Sequence, residues 1–450
     1  MANSRKSSFD LVERVADALS PVVPSNCSLL LGLSGGLDSV VLLHLLAQLS
    51  PRFSWRISAL HVHHGISPHA ASWSVFCTAL CEKYSIPLHI EQVDITPLRE
   101  LGIEAAARQL RHAALASQPV DFIALAHHRD DQSETLLLQL LRGAGVRGVS
   151  AMPKLLTRSN APSLVRPLLD ITRSELAFYA QQHGLSWVED ESNEDVSYPR
   201  NFLRHKILPV LQQRFPAYRT TLARSAQHFA EAASLLDELA AQDAASAIIE
   251  HGLNVAPLRT ISAARGKNLL RYFLASRGAP IPDSTRLAEM RRQLTEAGQG
   301  AQIHITWQDW QLRCYGDIAY VMFNTLPAVA FEIKWQGEAV VNLPASHGVL
   351  QFEKVLGSGL SLHKLQQGLV TIRSRRGSEN IKLDQARPHQ RLRNLLPQGA
   401  VPPWHRALMP LLFCDAELVW VPGVATASDY VAKPDEEGVL VSWKNGAKMH

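Results

Sequence analysis

The segment Leu29-Leu30-Leu31-Gly32-Leu33-Ser34-Gly35-Gly36-Leu37-Asp38-Ser39 constrains the chain more than any other. An apolar run of strand length passes into a turn with two adjacent glycines, and the turn opens into the apolar stretch 40–46, which reads as a helix. Glycines let backbone N–H groups approach an anion, Ser34 and Ser39 add hydroxyls, and the helix behind presents its positive end to the same point. That is a phosphate cradle. It is not the Walker loop, which needs a lysine that this turn lacks. The plain alternative is a Ser/Gly turn with Asp38 as a first-turn acid.

The flanking sequence extends the strand–turn–helix reading. Apolar runs at 29–33, 57–62, 88–93 and 122–126 alternate with amphipathic stretches at 40–49, 71–84, 104–116 and 133–141, the pattern of a doubly wound α/β domain with a parallel sheet. In such sheets ligands sit at the carboxyl ends of the strands, so the loops after Leu33, Val62, Val93 and Ala126 are expected to converge. After the fourth strand comes Ala126-His127-His128-Arg129-Asp130-Asp131-Gln132-Ser133-Glu134-Thr135. Asp131 and Glu134 are three apart and share a face of the helix opening there, so two carboxylates and the imidazoles are expected at the crevice, with Asp38 and Asp131 as candidate Mg²⁺ ligands through bound phosphates. An acidic helix start with solvated histidines is the alternative.

A chain of 450 residues exceeds one core, and the organisation read here is 1–216, 217–330 and 331–450. The stretch 143–166, rich in Gly, Pro and Ser, reads as a loop. An amphipathic helix follows over 221–249, short strands over 302–323, and a small β-rich region with a helix near 385–396 ends the chain. No stretch has the length or apolarity to span a bilayer, and the basic start, 1–9, lacks a signal-type apolar run, so a cytoplasmic location is expected. The five cysteines form no CxxC pair. Cys77 and Cys81 with His63, His64 and His69 fit no standard zinc spacing, and reduced thiols are the preferred reading. Between 364 and 406 nine Lys or Arg face two acids, in a chain whose whole surplus is only +4. That local charge suits nucleic-acid phosphates, a solvated basic face being the alternative.

The motif Ser-Gly-Gly-x-Asp-Ser resembles the loop of the N-type ATP pyrophosphatases (the PP-loop superfamily). Five ordered segments narrow the resemblance to the tRNA(Ile)-lysidine synthetase family: Ala126 through Thr135; Arg142-Gly143-Ala144-Gly145 with Gly148; the Glu104, Ala107, Arg108, Arg111 helix; Arg166-Pro167-Leu168-Leu169; and Arg200-Asn201-Phe202-Leu203-Arg204-His205. Asp190, Ser192 and Asn193 also fit. Segments around Arg373-Ser374-Arg375-Arg376, Pro402-Pro403-Trp404-His405-Arg406 and Trp420 are similar to the family's C-terminal domain, while 217–360 matches only in character.

The resemblance implies a PP-loop ATPase domain followed by a mainly helical domain and a small β-rich C-terminal domain. It implies ATP and Mg²⁺ as cofactors, and L-lysine and a CAU-anticodon tRNA-Ile as partners. The family's reaction adenylates O2 of the wobble cytidine and then lets lysine displace AMP at C2. Carried over, the nucleotide contacts would be Ser34, Gly35, Gly36, Leu37, Asp38, Ser39, His127 and His128. Asp38, Asp131, Arg111 and Arg204 would be catalytic, with either carboxylate as base or ammonium anchor and either arginine holding phosphate. Glu134, Arg108, Arg142, Arg200, Arg373, Arg375 and Arg376 would bind substrate. A PP-loop tRNA thiolase and a non-enzymatic tRNA-binding protein remain as rivals. The sequence leaves monomer or homodimer open.

Overall fold

The computed structural model describes residues 10–444 except 66, 159–160, 299–301, 325–328, 345–346, 387 and 400. The basic start and Arg387 therefore lie outside the described residues, as does the side chain of Glu104. The chain divides into two compact units, 1–235 and 236–450.

In the first unit the strands β1 (Ser28–Gly32), β2 (Arg56–His63), β3 (Leu88–Gln92), β4 (Phe122–Ala124), β5 (Leu155–Leu156) and β6 (Ser163–Val165) form one sheet in the order β3-β2-β1-β4-β6-β5. All pairs are parallel except β5 with β6. Leu29, Leu30 and Leu31 of β1 are at most 3% exposed, as a central parallel strand covered on both faces requires. The chain lays β2 and β3 on one side of β1 and β4 on the other, so the order reverses between β1 and β4. A crevice opens at that switch point beyond the strand ends.

Around the sheet lie α1 (Leu11–Leu19), α2 (Leu37–Phe53), α3 (Ala70–Lys83), α4 (Ile103–Ala116) and α5 (Arg129–Leu141). Val40, Val41, Leu43, Leu45 and Leu46 of α2 are essentially fully buried between the sheet and α1, which explains why α2 reads as apolar on nearly every face. Two expectations need correction. Helix α5 starts at Arg129, four residues earlier than 133, because His128 and Asp131 close a capping box around its first turn. The stretch 143–166 is not one loop: β5 and β6 lie within it, and Leu164 and Val165 extend the core. Their brevity and the glycine- and proline-rich surroundings hide them.

The second unit opens with a five-stranded antiparallel sheet ordered Ile248–Ile249, Gly252–Asn254, Ile318–Phe323, Trp310–Tyr315 and His304–Trp307, on which helices Ala263–Ser276 and Ser284–Glu296 pack through Leu270, Phe273, Leu287 and Met290. Two larger sheets and a two-stranded one, Asn380–Ile381 with Gln390–Arg391, follow among the described residues. One of the larger contains Glu332–Lys334, Val370–Ser374, Pro410–Cys414 and Glu417–Val421; the other pairs Val349–Leu356 with Glu437–Lys444. The helix expected near 385–396 forms at Leu392–Gln398, and a shorter helical turn follows at Pro403–Arg406. Among the described residues no helix is long and apolar enough to cross a membrane.

Candidate active site

The turn between β1 and α2 is shaped by Gly35. Its φ of +86° is left-handed, and a Cβ there would stand 2.9 Å from Val188 Cγ2 and 3.2 Å from Cys77 Sγ, so only glycine fits. The Gly35 carbonyl accepts from Val188 N–H at 3.0 Å, which ties the turn to a segment far along the chain. Gly36 is the N-cap of α2 and offers no side-chain oxygen, leaving the first N–H groups of that helix for an anion. Ser39 Oγ donates to the Gly36 carbonyl at 2.9 Å and lies 3.1 Å from Ser34 Oγ, holding the turn in shape. Leu37, expected at the nucleotide, is 8% exposed and packs into the core, so the contact it can offer is its backbone.

Across the switch point stands the start of α5. The His128 N–H donates to Asp131 Oδ2 at 2.9 Å, and Asp131 N–H donates to His128 Nδ1 at 3.4 Å. Accepting at Nδ1 leaves the ring proton on Nε2 in the neutral imidazole. That Nε2 is 3.5 Å from Asp38 Oδ2 and 3.5 Å from Asp131 Oδ2, so one buried imidazole joins the acid in the first turn of α2 to the acid in the first turn of α5. Burial disfavours its charged form, but Asp131, Asp38 and Asp130 outweigh burial and raise the His128 pKa. Asp131 is likewise opposed by burial, yet His128, Arg200 and His127 hold its carboxyl below the usual range.

Beneath these groups Glu134, with a side chain only 1% exposed, accepts from Arg200 Nε and Arg204 Nε at 2.7 Å each. Arg200 Nη2 continues to Asp131 Oδ1 at 2.6 Å. Both Glu134 oxygens are thus occupied, and the residue anchors two arginines instead of facing the crevice as expected. The arginines arrive on the turn Pro199–Phe202 and the π-helical segment Leu203–Ile207, an irregular winding that swings both toward Glu134. Asp130 is held by Arg219 and by Arg173 N–H.

The third wall follows β2. His61 Nδ1 meets the Leu33 carbonyl at 2.9 Å, and Arg111 Nη2 lies 3.3 Å from His64 Nε2. Burial, then Arg111 and the neighbouring imidazoles, push His64 down to about 4. Burial pushes His127 down to about 3 against the pull of Asp131, with Arg166, Arg200 and Arg108 adding to the drop. Arg108 and Arg111 also repel each other, and burial with Arg108 lowers Arg166 to about 10. The segment after β3 joins this wall through Val93 N–H, which donates to the His63 carbonyl.

Four buried polar atoms of this crevice lack a hydrogen-bond partner among the described residues: Asp38 Oδ1, His64 Nδ1, His127 Nδ1 and Arg166 Nε. Buried polar atoms without partners are costly, and here they combine one acceptor with donors, as a ligand bearing phosphate and a cation would require. Among the described residues no three His, Cys, Asp or Glu side chains gather as a metal site by themselves, so a divalent ion would need ligand oxygens beside Asp38 and Asp131. Cys77 and Cys81 are buried thiols, pushed up to about 12 and about 11 by burial.

Not every expected residue joins the cluster. Arg142 caps the far end of α5, about 20 Å along the helix from Arg129 at 1.5 Å per residue. Arg373, Arg375 and Arg376 belong to the second unit, where Arg375 lies 3.5 Å from Glu379 Oε2 and Arg376 is 2.7 Å from Glu332. His61, Val188 and Arg219 also belong to the site although nothing in the sequence singles them out, and His64 belongs to it as a partner of Arg111, its position just past β2 being the available signal.

Comparison with known proteins follows the same division. Residues 9–211 match the PP-loop domain family, 253–320 the TilS substrate binding domain and 370–443 the TilS substrate C-terminal domain. The tRNA(Ile)-lysidine synthase of Nitrosomonas europaea is 44% identical over 98% of both chains. Those of Azoarcus sp. and Chromobacterium violaceum are 38% and 39% identical, over 95% and 93% of this chain and 93% and 95% of theirs. At that identity over nearly the whole length, the chain belongs to the tRNA(Ile)-lysidine synthase family.

Proposed function

We propose that this chain ligates L-lysine to C2 of the wobble cytidine in a CAU-anticodon tRNA-Ile, consuming ATP and releasing diphosphate and AMP. The observation that carries the reading is the His128 bridge between Asp38 and Asp131, set against the glycine turn. Cytosine O2 attacks the α-phosphorus of ATP and diphosphate departs. The ε-amine of lysine then attacks C2, the C2–O2 bond breaks with AMP taking the electron pair, and the amine gives up a proton.

In the first step the N–H groups of the first turn of α2, behind the Gly36 N-cap, receive the departing diphosphate, and Ser34 and Ser39 hold the turn rigid. Mg²⁺, carried in on the phosphates, would be held by the open Oδ1 of Asp38 and would offset their charge. In the second step Asp38 is the better carboxylate for a cation or proton. Its Oδ1 has no hydrogen bond among the described residues, whereas both Asp131 oxygens are engaged by arginine or by the His128 N–H. We assign Asp131, Arg200 and Arg204 to positioning, and Arg111 with His64 to contact with the adenylate. A tRNA thiolase would ordinarily draw on paired cysteines, and the sequence has no CxxC.

On this reading 1–216 is the adenylating domain, 217–330 contacts substrate, 331–450 is a basic tRNA-binding domain, and the enzyme works in the cytoplasm. The test is incubation with ATP, Mg²⁺, labelled lysine and tRNA-Ile bearing CAU, beside the initiator methionine tRNA with the same anticodon. Label on the former alone is expected. Label on neither, with no diphosphate released, overturns the reading.

A further inference from the structure

A second cavity lies in the C-terminal sheets, against strands Val370–Ser374, Pro410–Cys414 and Glu417–Val421. Its volume is about 380 Å³, the size range of small-ligand sites. One wall is a platform: the Arg373 guanidinium carbon stands 3.7 Å from the centre of the Phe413 ring. The Arg373 side chain makes no hydrogen bond or ion pair among the described residues, while Arg376 is tied to Glu332 and Lys382 to Asp429 at 2.8 Å. The other wall carries carboxylates. Glu379 is 8% exposed, accepts from Gly377 N–H at 2.8 Å through Oε1, and leaves Oε2 without a hydrogen bond, with Arg375 Nε 3.5 Å away as an ion-pair partner. Glu417 and Asp429 complete that wall.

The charges of the lining decide among ligand classes. Cations and carboxylates are balanced around the cavity, so a bare phosphate would meet as much repulsion as attraction. A zwitterionic amino acid would suit the charges but leaves an aromatic-backed guanidinium plane without a use. A nucleotide uses all three features. Its base stacks on a flat guanidinium or ring, its phosphate meets a cation, and an exocyclic amino group donates to carboxylate.

We propose that this cavity binds one unpaired nucleotide of tRNA, its base stacked on the Arg373–Phe413 platform and its amino edge facing Glu379, Glu417 and Asp429. The proposal rests on the tRNA reading above and names what the basic C-terminal region reads beyond backbone charge. A lysine at 373 keeps the charge and loses the plane, which separates stacking from simple phosphate attraction.

The experiment measures equilibrium binding of a tRNA-Ile(CAU) transcript by the full chain, in the wild type and in Arg373→Lys, Arg373→Ala and Glu417→Gln, with thermal melting as the folding control. Arg373→Lys should weaken binding about tenfold with little change in salt dependence, Arg373→Ala at least as much, and the surface change Glu417→Gln by about threefold. Arg373→Lys and Glu417→Gln both binding within about twofold of wild type overturns the proposal. Transcripts without the unpaired 3′ tail and an isolated anticodon stem–loop locate the nucleotide, because the penalty of Arg373→Lys vanishes only where the bound base is missing. Wild-type lysine transfer is scored separately, so loss of the tRNA reading is distinguishable from loss of this one.

Discussion

Arg200 donates from Nε to Glu134 Oε2 at 2.7 Å, joining residues 66 positions apart, and Arg204 closes on the same carboxylate from the other side. With a side chain only 1% exposed, Glu134 is the more deeply buried of the two acids, with Asp131, that offset these guanidiniums. Glu134→Gln should therefore strand partly buried positive charge and cost about 3 kcal/mol, the scale for breaking a buried pair from one side. Arg200→Gln and Glu134→Gln should not be additive, since each removes the same contact. Chemical denaturation of the two single variants and the double variant checks both statements. Additive losses would show that Glu134 and Arg200 act independently.

Asp38→Asn keeps the shape of the side chain and its distance from His128, and alters the charge that Oδ1 presents without a partner. The fold should survive with a midpoint within a few degrees of wild type. Diphosphate release should fall on the order of a hundredfold or more, the usual scale for removing an electrostatic group from a reacting centre. A variant that releases diphosphate at the wild-type rate would remove Asp38 from the site.

What was legible in the sequence is what is contiguous in it. The strand, glycine turn and helix from Leu29 to Leu46 fall within one window, so the cradle and its place at a strand end could be read directly, as could Asp131 beyond the fourth strand. Glu134 was legible as a site residue but not in its role. Its partners Arg200 and Arg204 reach it from a short turn and the π-helical segment behind it, which no periodicity announces. Val188 fixes Gly35 through one backbone hydrogen bond, which any residue type could make, so its identity carries no signal. The basic 364–406 stretch was legible as charge. Its further neutralisation by Glu332 and Asp429 was not, because those acids lie outside the stretch and pair with it only once the sheets form.

His64 carries a prediction about tautomers. A guanidinium can only donate, so the contact from Arg111 Nη2 makes His64 Nε2 an acceptor and places the ring proton on Nδ1, which is buried without a partner. An asparagine amide can put an N–H near the Nδ1 position, whereas glutamine mimics Nε2. His64→Asn should retain most adenylation, and His64→Gln should lose on the order of tenfold or more in kcat with melting unchanged. Equal activity of the two variants would mean that the Nδ1 proton is not used. The kcat and KM for ATP, measured for each, decide it.

His405 supplies a pH dependence away from the crevice. Burial, with a smaller push from His251, lowers its pKa from 6.5 to about 4, and its Nε2 has no partner among the described residues. Below pH 6.5 the unfolded chain takes up a proton that the folded ring refuses, so the folded state loses stability as pH falls from 6.5 toward about 4. The carboxylates held low, such as Asp131 and Glu175, act in the same direction but only near and below their ordinary values of 3.8 and 4.5. His128, whose pKa is raised, contributes stability that is complete below 6.5 and is lost only as pH climbs above it. The interval from about pH 6.5 to 5 therefore reports mainly on histidines kept neutral by burial. Thermal midpoints of wild type and His405→Gln across that interval should converge as the pH falls, because the variant has no ring to protonate at this position. A constant gap between the two curves would mean that His405 titrates in the folded protein as it does in the unfolded chain.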